Sequence, residues 1–402
     1  MSRCRVAIVA DDLTGALDAA APFAARGAQT RVVIALEHLA SSLEAWRERA
    51  PQVIAVNTES RHLPAPEAAA RVVQATRLLA RLSPAIWFKK IDSTLRGHVV
   101  AESIAMLGVT GRQLLLAPAV PAQGREVRDA EVWVEGQPLA HTAYGDDARS
   151  CALQGPLDAA FLAAGVTMAR RRAAPGLGFE QGHVVVDAST QQDLSHLYDA
   201  VARAPERWLL VGAAGLACEA ARRSFGLMHG SAPWLSNVRH GLYAVGSRSP
   251  RALEQCRRLR QGAPGLGWEE VLPAGATPAD TPTEPAPAQR LLIPGDQDGH
   301  TRNPAEVARV MGERIAAIVA EWPRSSVQLI FLTGGDTAMA ALGRLGGRFI
   351  EVVAEWRPGV ALGYLDGEPL RMVMTKAGGF GDPELLLQLY AEITGPEPAR
   401  RA

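Results

Sequence analysis

Short apolar runs alternate with amphipathic stretches along the first half of the chain. RVAIVA precedes TGALDAAAPFAARG, and TRVVIAL precedes a helical pattern around SLEAWRERA. QVIAVN leads into APEAAARVVQATRLLARL, AIWFKKI into a helix after Gly97, and RQLLLAPAV follows. Strand and helix in regular alternation predict a doubly wound, parallel sheet. GHVVVDAST, QQDLSHLYDAVARA and RWLLVGAAGLACEAARR carry the pattern to about residue 227.

A second series runs through GLYAVGSRSP, RLLIPGD, PAEVARVMGERIAAIVAEW, VQLIFLTGGDTAMAAL, RFIEVVAEW and RMVMTKAGGFGD, and closes on PELLLQLYAEI. The turn-rich FGLMHGSAPWLSNVRH lies between the two series and reads as a linker. The expected architecture is therefore two α/β domains with largely parallel sheets, residues 1–228 and 241–395, joined over about 229–240, with a ligand crevice between them. Residues 272–289 hold five prolines and no apolar period, which predicts a surface loop. No internal repeat is visible.

At 402 residues and 48% hydrophobic, with 42 basic against 42 acidic residues, the chain reads as a soluble globular protein of two domains. The balanced charge gives no footprint for nucleic acid or an anionic membrane, so neither is an expected partner. The opening MSRCRVAIVADD has too short an apolar run for a signal peptide or a membrane span, which predicts a cytoplasmic protein. Cys4, Cys151, Cys218 and Cys256 are widely spaced and fit reduced structural thiols, not a zinc site. His62, His98 and His300 stand near polar loops without metal-ligand spacing and are expected bystanders.

In open parallel sheets, ligands bind beyond the carboxyl ends of the strands. In the first series those segments are polar: Asp11 to Gly15, Asn57 to Arg61, Lys89 to Arg96, and Pro118 to Arg125. Their convergence would unite cations (Arg61, Lys89 or Lys90, Arg96, Arg125), carboxylates (Asp11, Asp12, Asp92) and hydroxyls (Thr14, Ser60, Ser93). Cations suit a carboxylate-bearing ligand, while carboxylates accept from ligand hydroxyls and one can act as general base. A small hydroxy acid satisfies both halves. The alternative is that Asp11, Asp12 and Thr14 only cap the first helix and that Arg61 and Arg96 are solvated. Lys89 and Lys90 should point to opposite faces of their strand.

The second series offers glycine loops before helices: Gly246 to Pro250, Gly334 to Thr337, and Lys376 to Gly381. Glycines and hydroxyls at helix N-termini present backbone N–H groups and a positive dipole end to phosphate, which points to a nucleotide. No Walker motif occurs, and GLGFEQG is spaced wrongly for a dinucleotide fingerprint.

ADDLTGALD, NTESR, KKIDSTLRG, PAVPAQGR and VGAAGLA, followed by VGSRS, TGGDTA and TKAGGFG, resemble the four-carbon acid sugar kinase family, in order from about residue 6 to 393. The family includes D-threonate, D-erythronate and 3-oxo-tetronate kinases. The resemblance implies a sugar-acid-binding domain followed by a nucleotide-binding domain, with transfer of the γ-phosphoryl group of ATP, with Mg²⁺, to the terminal hydroxyl. It implies acid-side roles for Asp12, Arg61, Lys90, Asp92 and Arg96, to which the strand-end reading adds Asp11 and Ser93; on mechanistic grounds Asp92 is the expected base and Asp12 the second candidate. On the ATP side it implies Ser247, Gly334, Gly335, Asp336, Thr337 and Gly378, and the glycine-loop reading adds Ser249 and Lys376. No residue is assigned to the metal, and a homo-oligomer is compatible with the sequence. Ala377 and Gly379 stand where the family usually has a small polar residue and Asn, and Glu126 stands for a common Thr. These departures keep open a second reading, a sugar-acid-binding or regulatory protein without transfer activity. Only three of the 42 Lys and Arg residues are lysines, and all three lie in motif loops.

Overall fold

A computed structural model describes residues 4–142, 144, 152–228, 234–271, 287–295 and 303–395. The chain divides into two compact units, Met1–His229 and Gly230–Ala402. Cys151, His300 and nearly all of the proline-rich stretch lie outside the described residues.

Unit 1 contains β1 (Val6–Ala10), α1 (Leu13–Ala24), β2 (Thr30–Val33), α2 (Leu39–Ala45), β3 (Val53–Asn57), α3 (Ala65–Ala80), β4 (Ile86–Lys90), α4 (Val99–Thr110) and β5 (Gln113–Ala117). It continues with β6 (Arg125–Arg128), β7 (Glu131–Val134), β8 (Gln137–Pro138), α5 (Leu157–Ala163), β9 (Met168–Arg172), β10 (His183–Asp187), α6 (Gln191–Val201), β11 (Trp208–Gly212) and α7 (Ala214–Phe225). Its main sheet runs β2-β3-β1-β4-β11-β5-β10-β9, and every pairing is parallel. All five residues of β1, VAIVA, are buried, as expected of a strand covered by helices on both faces.

The strand order places a topological switch point between β1 and β4: the chain first builds toward β2 and then crosses to β4. Such a switch is where open α/β sheets form a ligand crevice. Asn57, Ala10, Lys90, Gly212 and Ala117 lie in one row across five strands. The loops that follow these residues therefore leave the sheet at one edge.

Unit 2 contains β12 (Val238–Val245), α8 (Pro250–Gly262), β13 (Gly267–Val271), β14 (Gln289–Pro294), α9 (Pro304–Ala320), β15 (Val327–Thr333), α10 (Gly335–Arg344), β16 (Phe349–Arg357), β17 (Val360–Leu365), β18 (Arg371–Lys376) and α11 (Leu385–Thr394). Its strands run β13-β14-β12-β15-β18-β17-β16, parallel as far as β18 and antiparallel from there. Tyr243, Phe331, Met374, Leu386 and Leu389 form the centre of its apolar core. A second switch point falls between β12 and β15, where Val245 pairs with Thr333 and Thr333 with Lys376.

Four features depart from the expected pattern. Helix α2 ends at Ala45, short of the expected turn through Arg49, because Trp46 folds inward under the Arg31 guanidinium, 5.0 Å from its ring. Residues 125–138 form a three-stranded antiparallel sheet, its first turn using the positive φ of Asp129 and Ala130. β16 and β17 form a hairpin through Pro358 and Gly359, and Gly359 supplies the φ of 76° that such a turn needs. The strand β12 opens at Val238 and β14 at Gln289, so each takes residues expected in loops.

Candidate functional site

At the unit 1 switch point the charged residues form tightly packed pairs. Asp12 is the N-cap of α1, accepting from the Gly15 N–H at 2.9 Å and from the Thr14 hydroxyl at 2.6 Å. The capping alternative is thus true of Asp12 and Thr14, but it does not exhaust them. The Arg61 guanidinium donates to both oxygens of Asp11, at 2.7 and 3.0 Å, and to Asp12 at 3.0 Å. Its side chain is only 11% exposed, so Arg61 is a buried bridge between two neighbouring carboxylates and not a solvated charge. Burial alone would raise the Asp11 carboxyl, but the Arg61 charge and hydrogen bonds outweigh it and hold the group below the usual carboxylate range.

Gly97 makes room for this bridge. With φ of 82° it already adopts a backbone conformation that L side chains rarely take, and a Cβ there would stand 3.0 Å from Asp11 Oδ2 and 3.5 Å from Arg61 Cγ.

The loop after β4 holds the second charged group. Arg96 grips Asp92 in a fork, 2.8 Å from Nε to Oδ2 and 3.0 Å from Nη2 to Oδ1, and the Thr94 hydroxyl donates to Oδ2 as well. Burial is again the largest influence and would raise Asp92, yet Arg96, Arg61 and Thr94 together hold it well below the carboxylate range. Asp92 is therefore anionic at neutral pH. Arg96, with 31% of its side chain exposed, is more accessible than Arg61. Ser93 is buried in the same loop.

The two lysines separate to opposite faces of β4, as the strand period requires. Lys90 meets α1: its Nζ donates to the Ile91 carbonyl at 3.1 Å, lies 3.8 Å from Asp18 and passes close to Gly15. Lys89 is fully buried and meets α4, its Nζ 2.7 Å from Glu102. Glu102 lies outside the quoted motifs, and Asp18 closes ADDLTGALD without an expected role at the site. A signal existed, because Glu102 shares one helical face with Val99, Ser103 and Met106, and Asp18 is the sole charge in α1; a charged residue on an apolar face marks a buried partner. Burial, the largest influence, raises the Asp18 carboxyl, with Lys90 opposing.

Arg125, after β5, is buried beside the Tyr144 ring and donates to the Gln123 carbonyl. It opens the first strand of the small sheet. Of the bystander histidines, His98 meets the Leu63 carbonyl at 2.5 Å.

Unit 2 presents a different surface. The Gly246–Ser249, Gly334–Thr337 and Lys376–Gly381 loops touch one another through glycines. A Cβ on Gly246 would lie 1.9 Å from the Thr337 hydroxyl, one on Gly378 would lie 2.0 Å from the Ser247 hydroxyl, and one on Gly334 would lie 3.4 Å from the Ser247 nitrogen. Ser249 caps α8 by accepting from the Ala252 N–H at 3.2 Å and donates to the Gly378 carbonyl at 2.8 Å. Gly334, with φ of 100°, precedes α10, which has no side-chain cap, so the N–H groups of that first turn face the loop junction without a side-chain acceptor from the cap. Asp336 lies in the same turn. Two helix N-termini and a glycine-lined backbone cradle suit the phosphates of a nucleotide.

Lys376 does not extend into that cradle. Its ammonium turns under its own loop and donates to the carbonyls of Ala377, Gly378 and Phe380 at 3.0, 3.1 and 2.8 Å. Burial pushes its pKa down to about 7. Expected as a cofactor ligand, Lys376 is in this structure the internal frame of the loop. Among the described residues no group of three or more His, Cys, Asp or Glu is arranged to hold a metal, and no helix is long and apolar enough to cross a membrane.

Comparison with known proteins bears on both units. Residues 6–220 match the model of a sugar-binding N-terminal domain and residues 242–386 that of a nucleotide-binding C-terminal domain. The chain is 34% identical to a D-threonate kinase of Cupriavidus necator, over 96% of this chain and 97% of that one. It is 31% identical to a D-threonate kinase of Bordetella bronchiseptica at the same coverage, and 28% identical to a 3-oxo-tetronate kinase of Pseudomonas fluorescens over 96% of each chain. A solved Salmonella typhimurium structure described as a putative tRNA synthase shares the fold, with a TM-score of 0.72 at 18% identity over 98% of this chain and 99% of the other. A Haemophilus influenzae structure also shares it, with a TM-score of 0.68 at 18% identity over 96% and 100%. Matched from end to end by both domain models and by kinases above 30% identity, the chain belongs to the four-carbon acid sugar kinase family.

Proposed function

We propose that the protein transfers the γ-phosphoryl group of ATP to the terminal hydroxyl of a four-carbon sugar acid of the threonate, erythronate or 3-oxo-tetronate type. The sugar acid binds in the 1–228 domain and ATP in the 241–395 domain. The observation that carries this reading is the pairing of two unlike sites in one family member: a charged crevice at the β1/β4 switch point, and a glycine cradle at the β12/β15 switch point, where a Cβ on Gly246 or Gly378 would collide with a neighbouring hydroxyl.

In this reading Arg96, the more exposed of the two arginines, meets the sugar carboxylate. Lys90 supplies a compact charge beside Gly15. Asp92, or Asp12 in its place, accepts a hydrogen bond from the attacking hydroxyl and takes its proton as the new O–P bond forms. A carboxylate of low pKa is a weak base, which suits a loose transition state in which the nucleophile's alignment matters more than its early deprotonation. Ser247, Ser249, Gly334, Gly335, Thr337 and Gly378 form the phosphate cradle. Mg²⁺ retains water and the substrate's phosphates and needs only one or two protein carboxylates, a role Asp336 can fill.

The test is a panel of threonate, erythronate and 3-oxo-tetronate stereoisomers with ATP, following ADP release and locating the product phosphate by NMR. Turnover with the phosphate on the terminal carbon is expected. Thermal shifts induced by a sugar acid without any ADP release would instead identify a binding protein and overturn the reading.

A further inference from the structure

The face of β4 opposite Lys90 carries a closed polar chain. Glu102, 1% exposed on α4, receives the Lys89 ammonium on Oε2 at 2.7 Å and the Ser60 hydroxyl on Oε1 at 2.5 Å. Ser60 lies 2.7 Å from the Thr58 hydroxyl, and Thr58 lies 2.8 Å from the Ala10 carbonyl. Lys89 also donates to the Lys90 carbonyl at 2.9 Å. Lys89, Ser60 and Thr58 show no solvent exposure at all. Each hydroxyl has one proton. The Ser60 proton is given to the Glu102 carboxylate, so Ser60 retains none to donate to a ligand.

This chain joins the last residue of β1, the loop after β3, the last turn of β4 and α4. Its neighbour in sequence is Arg61, whose guanidinium bridges Asp11 and Asp12. The Arg61 backbone is also tied to the Asp11 carbonyl, as is the Ser60 N–H. Lys89 is close enough to contribute to the low pKa of Asp11. Fixing Ser60 therefore fixes the entry point of the Arg61 side chain, and fixing Lys89 sets part of the field at Asp11.

We propose that Glu102 is a positioning residue for the sugar-acid site, holding Ser60 and Lys89 so that Arg61 is fixed against Asp11 and Asp12. The role rests on the proposed kinase reading, but its geometry does not. It assigns Lys89 and Ser60 to this support and leaves Lys90 as the ligand-facing lysine of the pair.

Two variants test it: Glu102→Gln and the double variant Lys89→Met/Glu102→Leu. Breaking a buried pair strands one charge, whereas replacing both partners by apolar groups of similar volume is often neutral for stability. The double variant is therefore expected to unfold within a few degrees of the wild type. It should still show a sugar-acid KM raised about tenfold or more, since sub-ångström misplacement of a positioning side chain is enough for such a loss. The KM for ATP should be unchanged. Glu102→Gln, which keeps the Ser60 acceptor, should fall between the double variant and the wild type. A double variant that folds and keeps wild-type KM for the sugar acid overturns the proposal and makes the network a stability element only. Should the wild type phosphorylate no member of the panel, the kinase reading fails by itself. The crystal structure of the double variant then decides the positioning role: Arg61 displaced from Asp11 and Asp12 supports it, and Arg61 unmoved overturns it.

Discussion

The two units wind in the same way but build their candidate sites by opposite means. In unit 1 the strands β2-β3-β1-β4 surround the first switch point, and in unit 2 β13-β14-β12-β15 repeat that order around the second. In both, the loop after the central strand caps a helix, through Asp12 on α1 and through Ser249 on α8. At the first switch point the functional surface is made of side chains: Asp11, Asp12, Asp92, Arg61, Arg96 and Lys90, each held by a charged partner. At the second it is made of backbone, and the one buried lysine is turned inward to shape it. A polyhydroxy acid of a few carbons has to be distinguished from its stereoisomers, which needs side chains placed atom by atom. Phosphates common to every nucleotide need only N–H groups and space.

If that contrast is real, the largest effect should come from Arg61. Arg61→Met leaves Asp11 and Asp12 as adjoining buried carboxylates without their cation. The expected loss is about 3–5 kcal/mol of stability, together with loss of sugar-acid binding, read by urea unfolding and by calorimetry with the best panel substrate. Near-wild-type stability would mean that the bridge is not the keystone of unit 1.

Asp92→Asn comes next. The amide keeps the shape of the carboxylate but cannot take the proton, and a fall in kcat of about 10²-fold is expected from loss of a general base. Near-full turnover with unchanged sugar-acid affinity would transfer the role to Asp12.

On the other side of the comparison, Gly378→Ala should act through space alone, because Gly378 is not in the left-handed region and its Cβ would stand 2.0 Å from Ser247 Oγ. Overpacking of this kind costs about 1–3 kcal/mol, or roughly ten- to hundredfold in ATP affinity. Sugar-acid affinity should not change. Adding Ser247→Gly should remove the collision and recover part of the ATP affinity; no recovery would show that the serine hydroxyl itself binds the nucleotide.

The difference between the units also governs how much the sequence discloses. The alternation of apolar runs discloses the strands that are parallel and central, since burial on both faces leaves them continuously hydrophobic. Of the antiparallel additions, β16 is visible as RFIEVVAEW, β6 to β8 are short and half-polar, and β17 is marked only by the Pro358-Gly359 dipeptide before it. The loops that carry chemistry stand out because ligand residues gather after strand ends. Their partners do not: Glu102 and Asp18 sit within helices, and in a linear reading a helical carboxylate looks solvated. Nor does the letter Lys376 disclose its direction. A lysine beside glycines in a phosphate-type loop reads as a phosphate ligand, while the structure spends all three of its N–H bonds on carbonyls of that loop.

Lys376 gives the smallest and most selective test. Burial lowers its pKa from 10.5 to about 7. In the unfolded chain the group holds its proton up to about pH 10, whereas in the folded chain it releases it near 7. Between those limits the unfolded state binds more protons, so stability rises with pH, by at most about 1.4 kcal/mol per unit. Below pH 7 both states are protonated, and the full penalty of the buried charge is present without further pH dependence from this group. Urea unfolding of the whole chain from pH 6 to 10 should therefore show a rise that Lys376→Met lacks. Lys376→Arg should lack it too, because a guanidinium stays charged throughout. Other groups titrate in this range, so the informative quantity is the difference in slope between wild type and variants. A common slope would mean that the three carbonyls hold the ammonium charged despite its burial, and unit 2 would then also owe its cradle to a paired side-chain charge, as unit 1 does.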